Sequence, residues 1–319
     1  MDLAKDLISY SSFIVILKKN RIAAQISTRL RNVGKRFLEK LLAGKMSEEE
    51  IHAVYRSYDI TGDIAVIKVP DNLREKRTLI AEAVMAANRS VKAVLGQVSP
   101  VSGEYRVREL EWILGERRTE ATYRENGCVF KVDLAKAYFS PRLSHERLRI
   151  AKLVQPGEVV VNMFAGVGPF SIVIAKHSKA SRIYSIDVNP EAITYMRENI
   201  TLNKMGDRIV PLLGDAKEVM KREAKGVADR VIMPLPEKAS EYLDAAIEAS
   251  KLGDSWLHYY EHVHVQGGDP VEMVRDRLSH LLRDRGIGHE FSAGRIVRDV
   301  GPRWYQVVID MLLHKATQQ

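Results

Sequence analysis

The stretch 158-EVVVNMFAGVGPFSIVIAK-176, followed by 182-RIYSIDVNPEA-192, decides the fold. A run of β-branched residues opens into a turn carrying Gly166 and Gly168, then into an apolar segment beginning at Pro169. A second β run ends in Asp187, about twenty residues after Gly166. Strand, glycine turn, helix, strand and acid in that order form the opening unit of a parallel, doubly wound α/β sheet.

Downstream the alternation continues. RIVPLLGD precedes a helix near Lys217, DRVIMPL precedes one from about Lys238, and SWLHYYEHV precedes one from about Pro270 to Arg285. HEFSAGRIVRDV and WYQVVIDMLLH follow without a helical crossover between them, so the sheet is expected to end in an antiparallel pair. Upstream, a helix over 144–154 leads into the first strand. Before it, residues 26–43 space their apolar positions at three and four, Ser47 is placed to cap a short helix, and 58-YDITGDIAVIKVP-70 alternates as a strand. A helix is expected from Asn72 to about Lys92, and residues 93–140 read as β-rich, with YRVRELEWIL as one of the strands. The reading is a basic segment (1–55), a small α+β domain (56–142) and a Rossmann-like domain (143–319).

The 319 residues are 45% hydrophobic and 28% charged, an ordinary soluble globular composition. The longest apolar run near the start, Phe13 to Leu17, is too short to span a membrane, and no cleavage signal follows it. Cys128 is the only cysteine, so no intramolecular disulfide is possible and a reducing, cytoplasmic setting is expected. Its alternating surroundings, 127-GCVFKVD-133, suit a half-buried strand residue better than a nucleophile. Of the net charge of +8, most sits in residues 1–45, where ten Lys and Arg face three acids. Such a segment suits a polyanionic partner or, equally, an ordinary solvated helix face.

The glycine turn narrows the ligand. In 166-GVGPFS-171 the third glycine of a dinucleotide fingerprint is Ser171, and Pro169 removes one of the backbone N–H groups a pyrophosphate needs. Asp187 is placed to accept from a ribose diol, and Asp215, ending 212-LLGDA-216, from an adenine amino group. A nucleoside without pyrophosphate fits, and S-adenosyl-L-methionine is the expected cofactor.

The segments YRVRELEWILGE, YFSPRLSHERLRIA, MFAGVGPFSI, DVNPEA and DRVIMPLPEKASEYLD resemble archaeal tRNA (guanine-37-N1)-methyltransferases of the Trm-five type, over roughly residues 55–313. The resemblance implies a class I methyltransferase domain acting on the anticodon loop of tRNA at position 37, with the family's N-terminal tRNA-binding domain shortened. It implies Glu146 as the base that takes the N1 proton and Arg106 as the partner of O6. Tyr138 would frame the guanine together with Arg106, Pro234 and Pro236. Arg147, Phe164, Ala165, Gly166, Gly168, Asp187, Val188, Asp215, Ala216 and Pro234 would hold the donor.

Each assignment has a plainer alternative. Glu146 is spaced to pair with Arg149, and Arg108 competes with Arg106. His258 and His262 lack a third ligand at metal-site spacing and read as polar strand residues. Pro234 departs from the family, which has asparagine there, so an amide hydrogen bond to guanine is missing or supplied from elsewhere. This leaves open a tricyclic guanine derivative as substrate. The rival functions are the related aminocarboxypropyl transferase and an inactive tRNA-binding protein. A monomer is expected, with the active site in a cleft between two domains and with no metal and no membrane partner.

Overall fold

The computed structural model describes residues 38–55 and 57–315. Most of the expected 26–43 helix and of the basic 1–45 segment lies outside these residues; residues 38–42 are helical. The chain divides into two compact units, residues 1–98 with 110–118, and residues 99–109 with 119–319.

In the first unit, α1 (Glu48–Ala53) starts with a reciprocal capping box between Ser47 and Glu50, as the sequence suggests. The expected strand over 58–70 is instead a hairpin, β1 (Asp59–Thr61) and β2 (Ile64–Ile67), paired antiparallel. Gly62, with φ +61°, supplies the left-handed turn that folds the run back on itself. The expected long helix is a 3₁₀ segment (Asp71–Lys76) followed by α2 (Arg77–Ala87), so Asn72 lies inside the first turn rather than capping it. β3 (Ala93–Gln97) and β4 (Leu110–Gly115) complete a four-stranded sheet over an apolar core that includes Leu38, Leu42, Ile80 and Val94.

The second unit opens with a hairpin, β5 (Glu120–Glu125) and β6 (Cys128–Asp133). Then follow α3 (Ser144–Leu153), β7 (Val159–Asn162), α4 (Pro169–His177), β8 (Arg182–Asp187), α5 (Pro190–Leu202), β9 (Ile209–Leu213) and α6 (Ala216–Glu223). The chain continues through β10 (Arg230–Met233), α7 (Leu243–Ala249), β11 (Gly253–His264), α8 (Pro270–Arg283), β12 (Gly288–Gly301) and β13 (Trp304–Lys315).

The seven strands run in the order β12-β13-β11-β10-β7-β8-β9. The five central and flanking strands β9, β8, β7, β10 and β11 are parallel, and β13 joins antiparallel to both β11 and β12. Strand order reverses between β7 and β10, where an open α/β sheet places its ligand. Along β7 the side chains alternate: Val161 packs into the core shared with α6, α7 and α8, and Asn162 faces α4. Ser171, in place of the third glycine, accepts from Asn162 at 3.1 Å and from Ser185 at 2.6 Å, fastening α4 to β7 and β8 in a buried polar trio.

The expected domain boundary at 142–143 falls inside this unit. The β5–β6 hairpin belongs here because Asn199 and Asn203, one turn apart on α5, bond the backbone of Lys131 and Val129 on β6. Cys128 is buried on β6, and burial pushes its thiol up to about 11. It is an inert packing group.

Candidate active site

The ends of β7, β8, β9 and β10 open into a cavity lined entirely by residues of the second unit, including Arg106, Tyr138, Phe164, Asp187, Asp215 and Pro234. The expectation of a cleft between two domains gives way to a site within one unit, because residues 99–109 pack with it rather than with the strands on either side in sequence.

The turn after β7 builds the cavity floor. Gly166 has φ +54°, and a Cβ there would meet only the Tyr138 carbonyl oxygen at 3.6 Å, so the backbone lies open to a ligand. Gly168 has φ +87° and caps α4, but a Cβ on it would come within 2.9 Å of Met196 Cγ. Gly168 therefore serves the packing of α5 and does not itself line the cavity. Pro169 at the first helical position offers no N–H, consistent with a ligand lacking pyrophosphate.

Asp187 lines the cavity while its oxygens accept from Gly166 N at 2.6 Å and Asn189 N at 2.9 Å. Burial raises this carboxyl above its ordinary range against the pull of those N–H groups. Asp215 caps α6 by accepting from Lys217 N and also accepts from the Tyr242 hydroxyl. Burial and that bond push the phenol of Tyr242 up. Tyr242 stands edge-on to Phe164, with ring centroids 5.0 Å apart, and lines the cavity beside Val188, Ala216 and Leu235. Sequence reading missed Tyr242, since nothing in SEYLD marks it. Two strand-end carboxylates, an open glycine backbone and this apolar slot fit an adenosine.

Arg147 also lines the cavity although it is 1% exposed. Its guanidinium forks onto Glu125 of β5 at 2.5 and 2.7 Å and donates to Ser140 O at 3.0 Å.

At the other end stands Arg106. The sequence places it on a strand, but it occupies a turn over 103–106 closed by a bridge between Ser102 and Val107, with φ +53°. A left-handed conformation in a non-glycine residue is costly and often marks a functional position. The guanidinium lies 4.5 Å from the Tyr138 ring centroid and donates to Glu237 Oε1 at 2.9 Å. Arg108 does not line the cavity; Pro234 does, and Pro236 is buried without reaching it.

Glu146 is 1% exposed and does not line the cavity. It accepts from Tyr260 Oη at 2.6 Å, from Arg149 at 2.7 and 3.0 Å, and from Arg295 Nη2 at 2.5 Å. The plain i,i+3 pair with Arg149 is thus present. Arg149 also reaches Asp310, which binds His258 Nδ1 at 2.6 Å, and His258 Nε2 faces Arg230 at 2.7 Å. Burial keeps the His258 imidazole below its ordinary range, despite Asp310. Burial alone would raise Asp310, but His258 and Arg149 hold it well below the usual carboxylate range. His258 is therefore a structural link across β10, β11 and β13. Among the described residues no His, Cys, Asp and Glu cluster is placed to share a metal ion.

The TRM5/TYW2 methyltransferase domain matches residues 121–289, and the TYW2 N-terminal domain matches residues 38–119. The chain belongs to the TRM5/TYW2 methyltransferase family. Both the recognised motifs and the Rossmann-like sheet accord with that membership. The chain is 45% identical to the tRNA (guanine(37)-N(1))-methyltransferase Trm5b of Pyrococcus abyssi, over 80% of this chain and 74% of that protein. It is 38% identical to the tRNA 4-demethylwyosine(37)-methyltransferase Taw21 of Saccharolobus solfataricus, over 81% of this chain and 94% of that one. Among solved TRM5/TYW2 structures, a complex of aTrm5 with tRNALeu superposes with a TM-score of 0.75 at 38% identity, covering 87% of this chain and 78% of that chain. Methanocaldococcus jannaschii Trm5 in complex with adenosine superposes with a TM-score of 0.71 at 36% identity, covering 88% and 79%.

Proposed function

We propose that this chain methylates N1 of guanosine 37 in the anticodon loop of tRNA, with S-adenosyl-L-methionine as donor. The observation that carries this is one cavity with an adenosine-shaped end at the strand tips and an Arg106–Tyr138 end beside it. The relatives named for this reaction and the adenosine-bound neighbour support it.

When bound, the donor supplies an electrophilic methyl group on a sulfonium. Asp187 and the Gly166 turn would hold its ribose, and Asp215 with Phe164 and Tyr242 its adenine. Arg147, oriented by Glu125, would lie toward its methionine portion. Arg106 donates to guanine O6 as negative charge builds there, and Tyr138 frames the base. N1 of guanine carries a proton at neutral pH, so its attack on the methyl group needs a base. Glu146 takes that role once Arg295 releases it. The Arg295 side chain is 42% exposed, the most accessible partner of the carboxylate, and RNA phosphate is a natural competitor for it. The N1 proton passes to Glu146 as the methyl group is transferred to N1.

A guanine-37 tRNA transcript incubated with the protein and donor, then digested for nucleoside mass spectrometry, tests the proposal. One methyl group on guanosine 37 is expected; an unmodified guanosine would end it, and a four-carbon amino acid addition would point to the aminocarboxypropyl reaction. Pro234 in the cavity wall, together with the Taw21 relative, favours a second substrate, a tricyclic guanine derivative at the same position. The same assay on tRNA carrying that base tests it. The lone buried thiol suits an enzyme working in a reducing, cytoplasmic setting.

A further inference from the structure

One face of the β11–β13–β12 sheet packs with α8, through Tyr259, Val263, Val307 and Ile309. The opposite face carries Tyr260, His262 and His264 of β11, at every second position. Their register partners on β13 are Val308, Gln306 and Trp304. This face meets Glu146 at Tyr260 and at Arg295 of β12. Further along it, Arg298 of β12 donates to Gln306 Oε1 at 2.7 Å. His264 stands five residues beyond Tyr259, the register partner of Met233 at the end of β10. His264 and Trp304 therefore project past the sheet edge at which the cavity opens. Trp304 is 45% exposed there, and the His264 ring lies against it with centroids 5.1 Å apart. On the other side of β13, the partner of Trp304 on β12 is Gly301, where a Cβ would stand 3.8 Å from the indole Cδ1. The indole is thus backed on the β11 side and left bare on the β12 side.

We propose that this face seats unpaired RNA beside the target nucleotide, with Trp304 stacking on another base of the anticodon loop and Arg298 holding a phosphate. The proposal rests on tRNA being the substrate. Every nucleobase offers a π face, so an indole backed by one ring and bare on its other side takes a base without reading its identity. Arg295, Arg298 and, in the exposed hairpin turn, Arg303 suit the sugar–phosphate chain that joins such a base to the target. Asp299, the acid of this stretch of β12, pairs with Tyr305, which packs against the core shared with α8, and so faces away. A protein partner would also use an exposed tryptophan, but it would not call for a row of arginines leading from Glu146.

Equilibrium binding of tRNA transcripts at several salt concentrations, with one loop base at a time replaced by an abasic site, tests this. Trp304→Ala is expected to weaken binding about fivefold or more, and Trp304→Phe much less. Gly301→Leu, at a position outside the left-handed region, fills the bare side of the indole and is expected to weaken binding as Trp304→Ala does. At one loop position the abasic site is expected to weaken binding by the wild type and to cost Trp304→Ala nothing further. Arg298→Gln is expected to make log K fall less steeply with log salt by nearly one unit, while Trp304→Ala leaves that slope alone. Wild-type affinity in Trp304→Ala and Gly301→Leu would overturn the proposal, as would losses that add at every loop position. An unaltered slope in Arg298→Gln would overturn the phosphate contact. A dimer lost in Trp304→Ala, with tRNA affinity unchanged, would assign the face to a second copy of the chain instead. Donor affinity, measured by calorimetry, is expected to be the same in every variant, because none of these positions lines the cavity. A wild type that does not bind tRNA at all would defeat the underlying reading rather than this surface alone.

Discussion

A carboxylate whose oxygens already accept from two guanidinium groups and a phenol has room for a further proton only once one partner lets go. That is the condition of Glu146, and it separates two substitutions. Glu146→Gln removes the proton acceptor and is expected to slow methyl transfer about 100-fold or more, with donor affinity unchanged. A wild-type rate in single-turnover assays would exclude Glu146 as the base. Arg295→Ala removes the exposed partner, and is expected to raise KM for tRNA several-fold while slowing the saturated rate much less than Glu146→Gln does. An unchanged KM would show that Arg295 does not exchange Glu146 for phosphate. The neighbouring His258 makes a pH prediction. Its folded value lies below the unfolded value of about 6.5, so the unfolded chain binds the extra proton first as pH falls. Its contribution to stability is complete above that value and is lost on acidification below it. Asp310, depressed by its partners, acts in the same direction at still lower pH. Thermal melts from pH 7.5 to 5 are expected to show a falling Tm. His258→Gln, whose amide can serve both Asp310 and Arg230, is expected to flatten the fall by up to about 1.4 kcal/mol per pH unit. An identical slope in the variant would assign the effect to other groups.

At the scale of elements, the β5–β6 hairpin depends on two asparagines of α5 acting as a substitute strand. Asn199 accepts from Lys131 N at 2.7 Å and donates to Lys131 O at 3.0 Å and to Val167 O at 3.1 Å, while being fully buried. Asn199→Ala strands these groups, each costing about 1–3 kcal/mol when buried without a partner. A loss of about 2 kcal/mol or more is expected in chemical denaturation, with faster amide hydrogen exchange along β6. Unchanged stability would mean that the backbone finds other partners. This explains what was legible in sequence and what was not. The strands and helices of the sheet announce themselves by period and by glycine and proline punctuation, as in VVVNMFAGVGPF. The hairpin is just as plain as local structure, but its attachment is a tertiary fact, carried by Asn199 and Asn203 some seventy residues away. The strand reading around Arg106 failed for a related reason: YRVRE alternates, yet Gly103 permits a tight turn that the bridge between Ser102 and Val107 then fixes.

For the whole molecule, the sequence already sets Gly166, Asp187 and Asp215 at strand ends, and the fold gathers them around one cavity, whereas the proposed base rests on the family resemblance alone. Charge at this scale sets up the last prediction. Residues 1–37 contain eight Lys and Arg and two acids, so they hold much of the net charge of +8. Cutting at residue 45 would also remove Leu38 and Leu42, which are buried in the core of the first unit, and would confuse missing charge with impaired folding. Cutting after residue 37 keeps both of these residues. If the basic segment neutralises tRNA phosphates, the truncated protein binds tRNA more weakly and its log K falls less steeply with log salt, by nearly one unit of slope for each phosphate it no longer neutralises. Donor binding is expected to be the same in both proteins, because the cavity is lined by residues from Glu104 onward. Titrations of tRNA at several salt concentrations, with calorimetry of the donor alongside, check both halves. An unaltered salt slope would make the segment a solvated face with no part in RNA binding, and equal drops in tRNA and donor affinity would mean that the cut had disturbed the fold.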